Sequence, residues 1–179
     1  MRKKFSLRSL LRDRAGAAAL EYVIVGPIFL AMILVTFDLG YMLFCQSVLD
    51  GAARTAARLV RTGQAQTSGS PQSAFFAALD SNLSGVISPA AISADVESFP
   101  DFSTLKTGLP PMIDPKTGKP ITNFSPGVPN NAVAVRVTYV YNFMVPWVGS
   151  LLMSTGGSPN SARLSSTVIF KNEPYPTGS

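Results

Sequence analysis

The chain of 179 residues contains no histidine and only one cysteine, Cys45. A single cysteine cannot form an internal disulfide, so a disulfide-stabilised scaffold is excluded. Without histidine, zinc sites of the usual ligand type are not expected, and a serine–histidine catalytic triad is impossible within this chain. These absences remove most metal-dependent and nucleophilic chemistry, and we expect no metal site, no cofactor and no enzymatic activity.

Charged residues are also scarce, at 14% of the chain against about 25% in a typical soluble domain. The net charge of +5 arises mainly from residues 1–14, which contain six basic residues and one acidic residue. Downstream of this basic leader no basic stripe with interleaved aromatic residues is present, so nucleic acid is not an expected partner. Asp95, Glu97 and Asp101 lie close together in sequence, and we interpret them as a solvated acidic strand edge rather than the carboxylates of a hydrolase.

A long apolar segment runs from Tyr22 to Cys45 and contains one charged residue, Asp38. A helix of this length spans about 36 Å, which is enough to cross a hydrocarbon core of about 30 Å. The segment is too long for the apolar core of a secretory signal peptide, and no small-residue cleavage site follows it. It therefore predicts one retained transmembrane helix, with the basic N-terminus in the cytoplasm and the C-terminal part outside.

Three residues of this helix are unusual for a membrane span. Pro27 removes a backbone hydrogen bond, and the sequence leaves open a tolerated kink or a segment that melts locally. An acidic residue at mid-bilayer costs about 2.5–3.5 kcal/mol. Glu21 lies at the cytoplasmic edge, while Asp38 lies near the outer end, where it either reaches the interface or pairs with a partner helix.

The residues just before the apolar segment predict a processing site formed by Gly16, Ala17, Glu21 and Tyr22. A cut after Gly16 would remove the leader, residues 1–16, and make Ala17 the new N-terminus with Glu21 as its fifth residue. In a bundle of such helices, Glu21 of one subunit would neutralise the Ala17 amine of the next. Because an unpaired buried charge is costly, such a pair would set the axial register.

The transmembrane helix is predicted to continue outside the membrane, so that helix and extension together cover residues 17–62. Arg54, Arg58 and Arg61 fall on one helical face, and Asp50 is placed to pair with Arg54. Small residues recur at a spacing of four, in the pairs Ala52/Ala56 and Ala53/Ala57. Two interpretations remain open: the alanine face packs on the protein's own domain, or it docks onto the helix of another subunit.

The remaining chain predicts a linker at 63–71 and an α+β domain at 72–179. Within this domain we expect a short amphipathic helix at 73–83 and a proline-rich loop at about 100–130. The predicted strands are 92–97, 132–143 and 161–171, and residues 145–153 predict a short helix or turn against the sheet or the membrane surface. The fold class is therefore α+β, with a long N-terminal transmembrane helix extended into a small extracytoplasmic domain whose antiparallel sheet has about three to four strands.

Several short runs in the first 62 residues form a recognisable pattern. They are Gly16-Ala17-Ala18-Ala19-Leu20-Glu21-Tyr22 followed by Pro27, then Phe37-Asp38-Leu39-Gly40-Tyr41, and then Asp50-Gly51-Ala52-Ala53-Arg54-Thr55-Ala56-Ala57-Arg58. Together with the end of the chain, Thr167 to Tyr175, they resemble the TadE-like minor pilins, or pseudopilins, of tight-adherence (Flp) pilus systems. One departure is Tyr41, where the family often has a basic residue.

The resemblance implies cleavage after Gly16 by a prepilin peptidase on the cytoplasmic face of the bacterial inner membrane. It implies helix packing and pilus assembly through a set of residues along the helix: Glu21, Pro27, Asp38, Gly40, Ala52, Ala53, Arg54, Ala56, Ala57 and Arg58. The implied partners are the peptidase, a second minor pilin of the TadE/TadF type, the inner-membrane assembly platform, the major pilin and membrane lipid. The alternative is an uncleaved single-pass envelope protein whose outer domain is a binding module.

Overall fold

The computed structural model describes residues 14–83, 85–105, 108–152 and 159–175. Most of the basic leader, residues 1–13, therefore lies outside the described residues. The chain forms two compact units, residues 1–40 and 41–179. One helix, α1 (Arg14–Arg61), begins in the first unit and continues into the second. The division at residue 40 differs from the predicted domain boundary at residue 62, because the outer part of α1 packs as part of the second unit.

The described part of the first unit is a single helical segment with a largely exposed apolar surface. Its most apolar stretch has a mean hydropathy of 2.3 and none of it is buried, so α1 is long and apolar enough to cross a membrane. Large apolar side chains are exposed along this stretch, including Val23, Ile28, Phe29, Met32 and Phe37. Pro27 lies inside α1, and the helix continues through it.

The second unit contains a three-stranded antiparallel sheet in the order β1 (Ile92–Phe99), β2 (Ala132–Asn142) and β3 (Ser161–Lys171). Ile92 pairs with Tyr139 and Phe99 with Ala132, while Asn142 pairs with Ser161 at the other edge of β2. The predicted α+β class, with a long apolar helix and a small antiparallel sheet, is confirmed.

One face of the sheet packs against the outer part of α1. Gln46 on α1 donates a hydrogen bond through Nε2 to the backbone oxygen of Ser165 on β3, at 3.1 Å. The side chains of α1 that are buried in this unit lie along one stripe: Met42, Cys45, Leu49, Ala52, Ala53, Ala56, Ala57 and Val60. The four alanines are at most 2% exposed within their own domain, so the alanine face packs on this domain, the first of the two interpretations left open.

The predicted linker at 63–71 is partly helical. It contains the short helix α2 (Gln64–Thr67), in which Ala65 is buried, and it leads into α3 (Pro71–Asn82). Phe75, Leu79 and Leu83 are buried as the amphipathic pattern predicts. The chain turns between α1 and α2 at Gly63, whose φ is 78°.

Gly63 also contacts the ring of Tyr175, and this contact predicts a strong preference for glycine at position 63. A Cβ at Gly63 would lie 2.3 Å from the ring of Tyr175, and a left-handed conformation costs a non-glycine residue about 1–2 kcal/mol. We expect Gly63→Ala to lower the free energy of unfolding by at least about 1–2 kcal/mol, measured by urea unfolding of the detergent-solubilised chain.

Gly69→Ala is the matched control, because a Cβ at Gly69 meets nothing within 4 Å. We expect this control to change the free energy of unfolding by less than about 0.5 kcal/mol, as exposed sites commonly do. Equal unfolding midpoints for the Gly63 and Gly69 variants would contradict the assigned contact.

The proline-rich segment between β1 and β2 is folded along the free edge of β1. It begins with a single-turn helix, α4 (Phe102–Leu105), and a tight turn follows in which Asp114 accepts hydrogen bonds from Lys116 N and Thr117 Oγ1 at 2.8 and 2.9 Å. Val96 N then donates to Asn123 O, and Ser125 N donates to Val96 O, both at 2.8 Å. These two bonds form a parallel bridge between Val96 and Phe124 that protects the edge of β1.

The apolar run after β2 forms the short helix α5 (Val148–Leu152). Val148 is fully buried, whereas Trp147 is 47% exposed, so the run packs against the domain through Val148 and leaves Trp147 at the surface. The side chains of Leu151 and Leu152, and the whole of Met153, lie outside the described residues.

Candidate processing and assembly site

The residues of the predicted processing site lie in the first turns of α1. The helix begins at Arg14, so the backbone bond between Gly16 and Ala17 lies within its first turn. The side chain of Ala17 is outside the described residues. The first turn of α1 contains no acidic residue, so no carboxylate there compensates the positive end of the helix dipole.

Glu21 is the only charged residue in the apolar stretch before Asp38, and its side chain is exposed. It shares one face of α1 with Ala18, Tyr22 and Val25, which together line a shallow depression. Tyr22 is 78% exposed beside it. Within the described part of the chain Glu21 forms no ion pair, so its carboxylate is available to a group outside this chain.

The other sequence-predicted residues of the apolar helix differ in exposure. Asp38 is 3% exposed, although its neighbour Phe37 is 74% exposed, so the Asp38 carboxylate is withdrawn into the chain itself. Pro27 and Gly40 are exposed. A Cβ at Gly40 would meet nothing within 4 Å, so packing within the chain does not require glycine there.

The arginines of the outer part of α1 face away from the sheet. Arg54 and Arg58 are exposed, opposite the buried alanines. The expected pair between Asp50 and Arg54 is wrong, because Asp50 Oδ1 accepts a hydrogen bond from Gln46 Nε2 at 3.2 Å instead. Arg61 pairs with Glu173 at 2.9 Å, which ties the end of α1 to the end of the chain.

The acidic cluster on β1 contains a buried ion pair that sequence reasoning missed. Asp95 and Arg136 are neighbours across β1 and β2, and each is at most 4% exposed. Arg136 Nε donates to Asp95 Oδ2 at 3.0 Å, Arg136 Nη2 donates to the same oxygen, and Asn123 N donates to Asp95 Oδ1 at 3.2 Å. The predicted solvated acidic edge is therefore wrong for Asp95, because the proline-rich segment covers it.

Arg136 also connects to the proline-rich segment directly, because its Nη1 donates to the backbone oxygen of Pro110. The neighbouring Glu97 is half-buried, and burial together with the Asp95 carboxylate raises its pKa above the usual value. Both oxygens of the Asp95 carboxylate accept hydrogen bonds that join the sheet to the proline-rich segment, so Asp95 has a structural role. No group of three or more histidine, cysteine, aspartate or glutamate residues is placed to hold a metal ion among the described residues.

These two units define a class of protein in which a single apolar N-terminal helix, long enough to cross a membrane, continues into a small α+β domain. A comparison with protein-family models is more specific: the model of the TadE-like protein family matches residues 16–58. The match begins at Gly16 and covers most of α1 but not the sheet. It confirms the resemblance found in the sequence and indicates a protein associated with tight-adherence pili. Comparisons with curated proteins and with solved structures gave no match.

Proposed function

We propose that the chain is a minor pilin that a prepilin peptidase cleaves after Gly16 and that assembly of a tight-adherence pilus requires. The main support is the position of Glu21, five residues after Gly16 at the start of an exposed apolar helix: its carboxylate is exposed and forms no ion pair with any described residue. The family match begins at the same glycine. The chain in this role is a peptidase substrate and a structural subunit, with adhesion and biofilm formation as the functions of the fibre.

Cleavage would create the partner that Glu21 lacks. It would remove residues 1–16 and leave a protonated amine on Ala17, at the positive end of the shortened helix. The first four N–H groups of a helix have no partner within it, so amine and helix dipole together attract a carboxylate. In a helical bundle the nearest such carboxylate would be Glu21 of the neighbouring subunit.

The same proposal assigns a location and a set of partners. Before assembly the helix is held in the inner membrane with its N-terminus in the cytoplasm, where the peptidase acts. The cleaved subunit then meets a second minor pilin and the assembly platform, and joins or primes the fibre of the major pilin. Because the alanine face of α1 is covered by its own domain, these contacts involve the exposed apolar part of the helix, residues 22–37.

The cleavage step can be tested by co-expressing the full chain with a prepilin peptidase and sequencing the mature N-terminus. We expect the mature chain to start at Ala17. Gly16→Val is expected to leave the leader attached, because a peptidase site that accommodates glycine has no room for a branched side chain and the bound backbone must be able to extend.

Gly26→Ala is the matched control, since it places a methyl group on a glycine of the same helix at an ordinary contact distance of 3.8 Å from the Tyr22 ring. This control should be cleaved normally. An intact leader on the unaltered chain in the presence of active peptidase would refute the proposal and favour the uncleaved envelope protein with a binding domain.

A further inference from the structure

The segment that includes the end of β2 and the loop to β3 lacks charge. From Val137 to Ala162 the sequence has 26 consecutive residues without an acidic or basic side chain, the longest such run in the chain. Yet part of it lies at the surface: Met144 is 70% exposed and Trp147 is 47% exposed. A soluble surface loop normally carries charge, so an uncharged loop with exposed large apolar side chains indicates a contact surface.

This loop, residues 143–149, which we call the Trp147 loop, is held in a defined shape. Asn160 bonds to both of its ends: its Nδ2 donates to Phe143 O at 2.8 Å, and its Oδ1 accepts from Gly149 N at 3.0 Å. Within the loop, Val148 N donates to Val145 O at 3.2 Å and Ser150 Oγ donates to Trp147 O at 2.9 Å. These hydrogen bonds fix the loop conformation in which Met144 and Trp147 are exposed.

The Trp147 loop begins close to the residue at which α1 enters the second unit. Tyr41, the residue at which α1 enters the unit, lies 6.1 Å from Tyr141 between ring centroids, and Tyr141 lies 5.3 Å from Phe143. Leu43 and Phe44, within one turn of Tyr41 on α1, are 63% and 50% exposed. The exposed apolar side chains of the loop thus lie at the end of the sheet where the chain arrives from the apolar helix.

The opposite end of the sheet differs in character. Lys171 pairs with Ala132 there, and the Arg61–Glu173 ion pair follows directly. A strand rises about 3.4 Å per residue, so this charged end lies about 30 Å from Tyr141 along β2. The end of the sheet where α1 enters has aromatic side chains and one basic residue, Arg163, which pairs with Val140.

We propose that the Trp147 loop rests in the outer interface of the lipid bilayer, as a second membrane contact of the domain beside α1. The proposal rests on α1 spanning the membrane. Tryptophan and tyrosine favour the headgroup level, where an apolar ring and a polar N–H or O–H are both satisfied. Tyr41 is the twentieth residue of the apolar segment that begins at Tyr22, so a helix that starts at Tyr22 reaches the outer side of a hydrocarbon core of about 30 Å near Tyr41. The ring contacts connect Phe143, the first residue of the loop, to Tyr41 through Tyr141. The contact orients the domain on the membrane before assembly and must be released when the subunit leaves it.

The chain contains a single tryptophan, so its fluorescence reports on this loop alone. The full chain is reconstituted into vesicles of phosphatidylcholine and phosphatidylglycerol, and vesicle flotation after alkaline extraction verifies that α1 is inserted. Quenching is then measured with iodide in the water and with phosphatidylcholine that has a nitroxide near its headgroup. We expect strong quenching by the nitroxide lipid and weak quenching by iodide.

The matched control moves the reporter to the other end of the sheet, as Phe102→Trp in a Trp147→Phe background. Phe102 is 43% exposed, similar to Trp147, and follows the end of β1 that pairs with Ala132. Iodide should quench this control several-fold more strongly than the natural chain, and the nitroxide lipid several-fold less. Inserted protein whose Trp147 behaves like the control would overturn the loop contact alone, whereas failure to float would overturn both the contact and the membrane anchor.

Discussion

Glu21→Ala is expected to abolish surface pili while leaving cleavage after Gly16 intact. Although Glu21 belongs to the predicted processing site, the cut itself requires the leader and the backbone around Gly16, and Glu21 acts in the proposal only after the leader is lost. In the proposed assembly, Glu21 is required because each cleaved helix would bring a positive Ala17 amine into an apolar bundle. Without the neighbouring carboxylate that charge stays unpaired, at a cost of about 3–5 kcal/mol for a buried pair that loses one partner. Since about 1.4 kcal/mol is a tenfold change in an equilibrium constant, this penalty would leave assembly negligible.

The measurement pairs an immunoblot of pili sheared from the cell surface with N-terminal sequencing of the membrane-bound chain. Glu21→Gln should fail like Glu21→Ala, because it keeps the shape of the side chain and removes its charge, whereas Glu21→Asp should recover part of the assembly. Asp50→Asn is the matched control. It neutralises an acidic residue of the same helix whose side chain accepts a hydrogen bond from Gln46. Wild-type amounts of pili from the Glu21→Ala strain would refute the pairing with Ala17.

Arg136→Ala or Asp95→Ala is expected to destabilise the domain by about 3–5 kcal/mol, because either change leaves one buried charge without its partner. Most small domains are stable by about 5–15 kcal/mol in total, so the loss is a large share of the stability. The Arg136 change should also release the proline-rich segment, since Arg136 bonds both to Asp95 and to the backbone oxygen of Pro110.

Two measurements separate these effects in the full chain in detergent micelles. Urea unfolding followed by Trp147 fluorescence gives the stability, and limited trypsin digestion at the exposed Lys116 reports release of the segment. Lys171→Ala removes an exposed charge on β3 and should stay within about 0.5 kcal/mol of the natural chain. The double variant Asp95→Val/Arg136→Met should recover much of the lost stability, because replacing both charges leaves no unpaired ion. A single variant as stable and trypsin-resistant as the Lys171 control would contradict the buried pair.

The sequence predicted the regular elements closely, because each has a periodicity that does not depend on distant residues. The alternation of apolar and polar residues along 132–142 located β2 to within one residue, and the bounds of β3 were predicted as observed. The continuous apolar pattern likewise predicted that the transmembrane segment and its extension are one helix. The candidate site at Gly16 and Glu21 rests on the basic residues before a long apolar run and on the family resemblance, and it stays a prediction.

The tertiary contacts could not be predicted from local patterns. Asp95 and Arg136 are 41 residues apart in sequence, and each alone is typical of a solvated strand position. Only the return of the proline-rich segment over the sheet, through Pro110 and Asn123, buries them together. The burial of Asp38 and of the four alanines also depends on neighbours that no periodicity identifies, and for the alanines the sequence left two interpretations open.

The contact between Gly63 and Tyr175 joins residues 112 positions apart, and it has a consequence for the order of biogenesis. Gly63 leaves the ribosome directly behind the helix, whereas Tyr175 follows 112 residues later. The Arg61–Glu173 ion pair and the bond from Glu173 N to Arg61 O, at 2.9 Å, share this separation. In the proposed topology the domain can therefore close around the outer end of α1 only after residue 175 has crossed the membrane. Until then the helix is anchored while its domain is still open, a period in which a periplasmic chaperone or protease would have access to it.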